Sequence, residues 1–197
     1  RGNWAPQNDI KNKEVLILGN GPSVKKYNKA ITNYIKKNKP YVLGFNIEKS
    51  VNENLINARA VCAPVKIFSD FSLYKKLKQK LIMPLSALDD EMKKKLKNIK
   101  IKDFGFMIRN NKFDFYKYHA VSPSMLAIAY GLAIACSGKA KKISLAGMDG
   151  WKDNLALNNE MENLIKSYKQ NKRSVKILSI TPTRFSIDEK SIFSSMI

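Results

Sequence analysis

The chain has 197 residues, of which 36 are lysine or arginine and 16 are aspartate or glutamate, giving a formal net charge of +20. This length predicts one domain with a sizeable hydrophobic core. The longest apolar run, Met125–Cys136, is too short to predict a transmembrane segment. Two isolated cysteines, Cys62 and Cys136, lack the spacing of metal ligands, which favours a reducing, cytoplasmic compartment and predicts no metal site.

The positive charge is almost entirely lysine, because the chain has only five arginines. Lysines are spread over predicted helix faces, whereas proteins that read nucleic-acid bases favour arginine. We therefore predict no specific nucleic-acid partner. The charge predicts instead a general attraction for anionic small molecules or membrane surfaces.

The first thirteen residues are polar and predict a linker that leads into the first strand. The chain starts at Arg1 and shows no signal peptide. We therefore expect residues 14–197 to form a single domain that is the C-terminal part of a longer protein.

Short apolar runs alternate with helical patterns along this domain. The predicted strands are Val15–Leu18, Tyr41–Phe45, Ala60–Ala63, Leu81–Met83, an edge strand at Ile99–Ile108, Lys142–Ala146 and Val175–Ile180. The predicted helices are Val24–Lys37, Val51–Asn57, Phe71–Lys80, Leu88–Asn98, Met125–Cys136 and Leu157–Lys169, with an aromatic loop at Asn110–His119. This alternation predicts an α/β fold, a Rossmann-like three-layer sandwich with a mostly parallel sheet.

The turn after the first predicted strand is the main candidate for a binding loop. It reads Gly19-Asn20-Gly21-Pro22-Ser23, and Ser23 is predicted to be the N-cap of the next helix. Glycines allow close approach of a ligand, and the amides of a helix start suit a phosphate. The alternative is a plain strand-to-helix turn, because the third glycine of a dinucleotide fingerprint and the lysine of a P-loop are both missing.

Three further candidate sites follow predicted strands or open helices. Asn46 follows the second strand and is predicted either to bind a sugar or base or only to end the strand. Ser122 and Ser124 flank Pro123 at a predicted helix start, where they contact a phosphate or cap the helix. Asp149, near Trp151, is predicted to bind a ribose hydroxyl, a metal or an acceptor, or simply to form a turn. Because parallel strands end at one edge, these residues predict a binding cleft there.

The sequence does not identify a catalytic group. The single histidine, His119, is either a general base or a structural residue in the aromatic segment. The acidic residues Asp89, Asp90 and Glu91 fit the start of a solvated helix. Catalytic residues and cofactors therefore stay unassigned.

The segments Ile17–Ser23, Phe45–Asn46 and Ser122–Trp151 resemble those of a Rossmann-like group that includes the bacterial sialyltransferases of the Campylobacter type. The chain is also similar to archaeal 6-hydroxymethylpterin diphosphokinase-like proteins. The sialyltransferase resemblance implies that the Gly19–Ser23 loop, Asn46 and Ser122 bind a CMP-sugar donor. The family's catalytic histidine, which lies in a lid after the aspartate that corresponds to Asp149, has no counterpart here.

A second resemblance rests on four motifs that are spread over nearly the whole chain. They are Gly-Asn-Gly-Pro-Ser-Val-Lys-Lys at 19–26, Leu-Ile-Met-Pro-Leu-Ser at 81–86, Leu-Ala-Gly-Met-Asp-Gly at 145–150 and Ser-Ile-Thr-Pro-Thr at 179–183. They are similar to the C-terminal Rossmann-like domain of HMG-CoA-lyase-like aldolase proteins of surface polysaccharide biosynthesis. This resemblance implies an aldolase-like barrel in the same polypeptide.

Together these observations predict a domain that binds a nucleotide, a nucleotide-sugar or another phosphorylated ligand in lipopolysaccharide or capsule biosynthesis. The predicted ligand-binding residues are Gly19, Asn20, Gly21, Pro22, Ser23, Asn46, Ser122, Ser124, Asp149 and Trp151. One alternative is a sialyltransferase-like glycosyltransferase or a diphosphotransferase. Another is a non-catalytic structural or assembly domain.

Overall fold

The computed structural model describes residues 1–47 and 49–195, so residues 48, 196 and 197 of the predicted domain lie outside the described residues. The helices are α1 (Gln7–Ile10), α2 (Pro22–Lys26), α3 (Asn28–Asn38), α4 (Pro64–Ser69), α5 (Phe71–Tyr74), α6 (Asp90–Lys95), α7 (Ala127–Ser137) and α8 (Leu155–Gln170). The strands are β1 (Glu14–Leu18), β2 (Tyr41–Phe45), β3 (Ala58–Ala60), β4 (Lys80–Met83), β5 (Ile101–Asp103), β6 (Gly105–Ile108), β7 (Asp114–Phe115), β8 (His119–Ser122), β9 (Lys142–Ala146) and β10 (Ile177–Ser179). Short 3-10 helices lie at Glu53–Leu55, Leu85–Ala87 and Ile192–Ser195.

Seven strands form a central sheet in the order β10-β9-β1-β2-β3-β4-β5, and every pair in it is parallel. The chain moves outward from β1 to β5 and then returns to the other side of β1 for β9 and β10. The direction of winding therefore reverses between β1 and β9. The predicted α/β class, with a mostly parallel sheet, is confirmed.

The two faces of the sheet are covered by different helices. Leu16 and Leu18 of β1 belong to a buried cluster with α3, whereas Val15 and Ile17 belong to a second cluster with α7 and α8. Consecutive side chains of a strand point to opposite faces, so this division makes three layers of the central sheet and its helices. Both faces are apolar, which is why β1 reads as a continuous apolar run.

Helix α7 is buried on all sides because it lies between the central sheet and a second, three-stranded sheet. That smaller sheet has the order β6-β8-β7. On one side of the helix, Gly131 lies so close to Phe45 that a Cβ on the glycine would be 2.7 Å from Cζ of the phenylalanine. On the other side, the Tyr130 hydroxyl donates to the Phe104 carbonyl at 2.6 Å. A helix with two apolar neighbours needs no polar face, which explains its composition.

The predicted edge strand at Ile99–Ile108 is confirmed in part, because β5 is an outer strand of the central sheet, but the same segment also supplies a strand of the smaller sheet. β5 belongs to the central sheet and β6 to the smaller one, and the buried Phe104 lies between them. The aromatic stretch at 110–119 is also more regular than predicted, because it contains β7 and begins β8. Phe113 and Phe115 pack edge-on against Tyr168 of α8.

The segment predicted to be a linker folds onto the domain along the edge strand β5. The amides of Asn3 and Trp4 both donate to the Asp103 carbonyl at 3.0 Å. Ala5 and Ile10 of the same segment are buried, and Ile10 belongs to the main core. Asn3 and Trp4 therefore bond to the backbone of β5, the outer strand on this side of the central sheet.

The opposite edge strand, β10, is met by a returning segment of chain. The Ser179 amide donates to the Asp188 carbonyl at 2.8 Å, and the Lys190 amide donates to the Ser179 carbonyl at 2.9 Å. Both outer strands are only three residues long. None of the described helices could cross a membrane: α8, the longest with 16 residues, falls short of the ~20 apolar residues needed for a span.

Candidate functional site

A cavity of about 450 Å³ opens at the edge of the central sheet where β1, β2 and β9 end. Gly19 follows β1, Asn46 follows β2 and Gly147 follows β9, and all three residues line this cavity. It therefore lies at the reversal of strand order, where open α/β sheets bind ligands. Its other lining residues are Asn20, Gly21, Pro22, Phe45, Lys66, Leu126, Ala127, Ile128, Met148, Gly150, Trp151, Met161 and Phe185.

The glycine loop is shaped by its contact with the end of β9. The Gly19 amide donates to the Ala146 carbonyl at 2.8 Å, and the Gly21 amide donates to the Gly147 carbonyl at 3.1 Å. A Cβ on Gly21 would overlap Asp149 Oδ2 and lie 2.5 Å from the Gly147 oxygen. The glycines are therefore required by the approach of two backbone segments, and the two amides are already used within the protein.

Ser23 and Asp149 form a connection that we call the Ser23–Asp149 latch. The Ser23 hydroxyl donates to Asp149 Oδ2 at 2.7 Å, and the Ser23 amide donates to Oδ1 at 3.1 Å. Thr181 extends the network, because its Oγ1 lies 3.2 Å from the Ser23 hydroxyl and accepts from the Gly147 amide at 3.0 Å. The carboxylate thus sits at the positive end of α2, the place expected for a phosphate.

The latch corrects the prediction that Ser23 is an N-cap. Helix α2 starts one residue earlier, at Pro22, and its N-cap is Gly21. Ser23 lies in the first turn and is buried, with its hydroxyl turned to the aspartate. Neither Ser23 nor Asp149 is among the residues that line the cavity.

Asn46 reaches the cavity because β2 ends in a left-handed turn. Its φ is +48°, a conformation that asparagine tolerates better than most residues. The fully buried Arg59 of β3 donates from Nη1 to the Asn46 carbonyl at 3.1 Å. Sequence reasoning missed Arg59, although an arginine between two alanines of a buried strand is unusual enough to have drawn notice.

Ser122 and Ser124 are not brought to this cavity. The Ser122 hydroxyl donates to the Ser124 carbonyl at 2.8 Å, and the Ser124 hydroxyl donates to Glu160 of α8 at 2.6 Å. Helix α7 then begins at Ala127, so Pro123 is not at its first position as the sequence predicts. Hydroxyl groups that bond to nearby backbone compete with helix formation, which accounts for the delayed start.

Trp151 and Phe185 give the cavity an aromatic wall. Their rings meet edge to face with centroids 6.2 Å apart, and Trp151 is 37% exposed. Asn158 of α8 fixes the tryptophan backbone, accepting from its amide at 3.0 Å and donating to its carbonyl at 2.6 Å. The backbone is therefore held while one part of the ring stays accessible. The sequence offers no local signal for the contributions of Asn158 and Phe185.

The charge and polarity of the lining limit what the cavity binds. Among the lining residues that the structure describes, Lys66 is the one charged side chain, and Asn20 and Asn46 supply amides. Most of the other lining side chains are apolar or aromatic. This combination suits a ligand with a flat ring, polar substituents and a negative group.

His119 lies away from the cavity, in the smaller sheet. Its ring stacks on Tyr116 with a centroid distance of 4.6 Å and an interplanar angle of 7°. Partial burial, and then the charge of Arg1, lower the pKa of the imidazole below its usual value. These contacts favour a structural role over general base chemistry at the cavity. No described group of three or more histidine, cysteine, aspartate or glutamate side chains is placed to hold a metal ion.

Both thiols are buried, and we expect them to make stability fall in alkaline solution. Burial raises the pKa of Cys62 to about 12 and that of Cys136 to about 11, from 9.0. Above pH 9 the unfolded chain loses thiol protons that the folded chain keeps. The free energy of unfolding should therefore fall between pH 9 and pH 11–12, by up to about 1.4 kcal/mol per pH unit for each thiol.

Denaturant unfolding at several pH values would measure this fall, and Cys62→Ala should reduce its slope. A Cys62→Ala variant with an unchanged slope would show that its thiol does not contribute. Cys62 matters to the cavity because its thiol donates to the Met125 carbonyl at 3.3 Å, next to the lining residue Leu126.

Comparison with known proteins gives one structural likeness and no family. The chain matches no family model and no curated protein. Among solved structures it is similar to the MAf glycosyltransferase from Magnetospirillum magneticum AMB-1, with a TM-score of 0.65 at 11% sequence identity. The match covers 98% of this chain and 36% of that protein. The chain therefore shares the fold of about one third of a much longer glycosyltransferase.

Proposed function

We propose that this domain binds a nucleotide or nucleotide-sugar in the cavity at the ends of β1, β2 and β9, and that it serves surface-polysaccharide synthesis. The observation that supports this proposal most directly is the position of the cavity at the reversal of strand order. Its lining adds aromatic surface, amides and a lysine, the groups that a base, a sugar and a phosphate need.

Each wall of the cavity has a role in this proposal. Trp151 offers a ring on which a nucleobase stacks, and Lys66 attracts the phosphates. Asn20 and Asn46 hydrogen-bond to the sugar, while Gly19, Gly21 and Pro22 form the floor against which it lies. The amides of Gly19, Gly21 and Ser23 are engaged inside the protein, so phosphate recognition rests on side chains.

Glycosyl transfer is the second candidate, and the likeness to the MAf glycosyltransferase favours it. The cavity lining among the described residues has no carboxylate or imidazole for proton transfer, so a transferase needs a group from outside this cavity. Incubation of the protein with a nucleotide-sugar donor and a saccharide acceptor tests this candidate. The aldolase-like barrel, the diphosphotransferase and assembly alternatives and the cytoplasmic setting stay predictions of the sequence.

We expect Lys66→Ala to weaken nucleotide binding about five- to tenfold, because one charge-assisted contact is lost. Quenching of tryptophan fluorescence in titrations with CMP, CMP-sialic acid, GDP and ATP would measure the affinity. The matched control is Lys76→Ala, which removes an equal charge from an exposed position outside the cavity.

Two outcomes would contradict the proposal. If none of the four ligands binds the wild-type protein, the nucleotide assignment is lost. If Lys76→Ala weakens binding as much as Lys66→Ala does, the attraction comes from the overall charge of +20 and not from this site.

A further inference from the structure

A second cavity, of about 390 Å³, lies beside the first and is lined mostly by polar side chains, together with Pro123, Ala156 and Leu164. We call it the polar groove and define it by Asn110, Asn111, Asn159, Glu160, Asn163 and Ser167. The asparagines at 110 and 111 come from the turn between β6 and β7, and the other four residues come from α8. Its volume is in the range of small-molecule sites, roughly 300–1,000 Å³.

The polar groove and the nucleotide cavity share two walls. On α8, Glu160 lines the groove and the adjacent Met161 lines the cavity. In the loop before α7, Ser124 lines the groove and Leu126 lines the cavity. The Ser124 hydroxyl accepts from the Leu126 amide at 3.0 Å and donates to Glu160 at 2.6 Å, which ties the two walls together.

The charge of the polar groove differs from that of the whole protein. The chain carries 36 lysines and arginines, yet none of the described residues that line the groove is one of them. Glu160 is the one charged residue of the lining, and it is also the one carboxylate that lines either cavity. Anionic ligands are therefore disfavoured here and favoured elsewhere on the surface.

The asparagines of α8 and its N-cap divide into two groups. Asn154 caps the helix by accepting from the Leu157 amide at 2.9 Å, and Asn158 holds Trp151. No hydrogen bond among the described residues engages the side-chain amides of Asn159 or Asn163, which are exposed in the groove one turn apart. In a helix, asparagine lowers stability by about 0.6 kcal/mol relative to alanine. The side chains of Asn159 and Asn163 are exposed, so burial does not offset this loss.

We propose that the polar groove binds a neutral, hydroxyl-rich ligand, a saccharide, next to the nucleotide cavity. A carboxamide both donates and accepts hydrogen bonds, as a sugar hydroxyl does, and Glu160 accepts from a further hydroxyl. If glycosyl transfer, the second candidate function, holds, on which this part of the inference rests, the saccharide is the acceptor of the transferred sugar. The groove itself rests on its own lining residues.

The test uses side-chain amide signals in two-dimensional NMR spectra of the ¹⁵N-labelled protein. Lactose, maltotriose and N,N′-diacetylchitobiose are titrated as neutral test ligands, with glucuronic acid as a charged comparison. We expect saturable shifts of the Asn159 and Asn163 amides with at least one neutral saccharide. For the double variant Asn159→Ala/Asn163→Ala, binding followed by the amides of Asn110 and Asn111 should be about tenfold weaker. Asn33→Ala, an exposed asparagine on α3, should leave the affinity unchanged.

Three results would overturn the inference: no response to any neutral saccharide, equal binding by the double variant, or tighter binding of glucuronic acid. CMP and CMP-sialic acid are titrated into the same samples. If the protein binds nucleotides but no saccharide, the proposed saccharide site is refuted and the proposed function stands. If it binds a saccharide but no nucleotide, the proposed function is refuted and the saccharide site stands. Loss of nucleotide binding in the double variant would show that the two cavities are one site and would also overturn the inference.

Discussion

Substitution of Gly21 by alanine should lower both the stability of the protein and its affinity for nucleotides. The new Cβ would overlap Asp149 Oδ2 and approach the Gly147 carbonyl to 2.5 Å, so the loop must move away from β9. Overpacking of this kind costs about 1–3 kcal/mol. The displaced loop also changes the cavity floor, so we expect nucleotide affinity to fall at least tenfold. Denaturant unfolding and fluorescence titration would measure the two effects.

Gly44→Ala is the matched control for this prediction. Gly44 lies in β2, and a Cβ there would meet its nearest neighbours, Arg59 Nη1 and Ile56 Cγ2, at an ordinary distance of 3.6 Å. We expect its unfolding free energy to fall by much less than that of Gly21→Ala, because the added Cβ makes only ordinary van der Waals contacts. Equal stability and affinity for Gly21→Ala and Gly44→Ala would mean that the close contact between the glycine loop and β9 does not shape the site.

Asp149→Ala should have the second large effect, because it removes the acceptor of two hydrogen bonds from Ser23. Hydrogen bonds to a charged group contribute about 1.5–3 kcal/mol each, and the buried Ser23 hydroxyl is left with Thr181. We expect a loss of about 3 kcal/mol in unfolding free energy and a nucleotide cavity that is less well ordered. Asp153→Ala, which removes an exposed carboxylate from the same loop, should change stability by less than about 0.5 kcal/mol.

A double-mutant cycle with Ser23→Ala separates the latch from other effects of the aspartate. If the two side chains act as a unit, the double variant should be no less stable than Asp149→Ala by more than a fraction of a kcal/mol. Additive losses would instead show that Ser23 and Asp149 stabilise the fold independently.

The sequence predicts best those elements that are determined by the residues within them and immediately beside them. β9 is observed at Lys142–Ala146, with the predicted bounds, because an apolar run between lysines and a glycine has one good interpretation. Short elements depend on tertiary contacts and were predicted less well. The break at Phe104 depends on Tyr130, which is 26 residues away, and the sequence pattern around Ile99–Ile108 gives no sign of it.

In the candidate site, too, locally determined features can be predicted from the sequence and tertiary contacts cannot. The polypeptide turns that follow buried strands can be predicted to meet at one edge, and Gly21, Asn46 and Trp151 do line a single cavity. The partners of individual side chains cannot be predicted in this way. Ser23 and Asp149 are 126 residues apart and satisfy each other, which no local pattern indicates. Lys66 and Phe185 reach the cavity from loops and helices whose positions only the folded sheet fixes.

The covered margins of the central sheet have a consequence for how the protein behaves when concentrated. Exposed strand margins invite a neighbouring molecule to add its own strand, which is a common route to fibrils. Here Asn3 and Trp4 bond to β5 at one margin, and the returning chain at 188–190 bonds to β10 at the other. Joining of copies through the central sheet should therefore be slow until one of these coverings detaches.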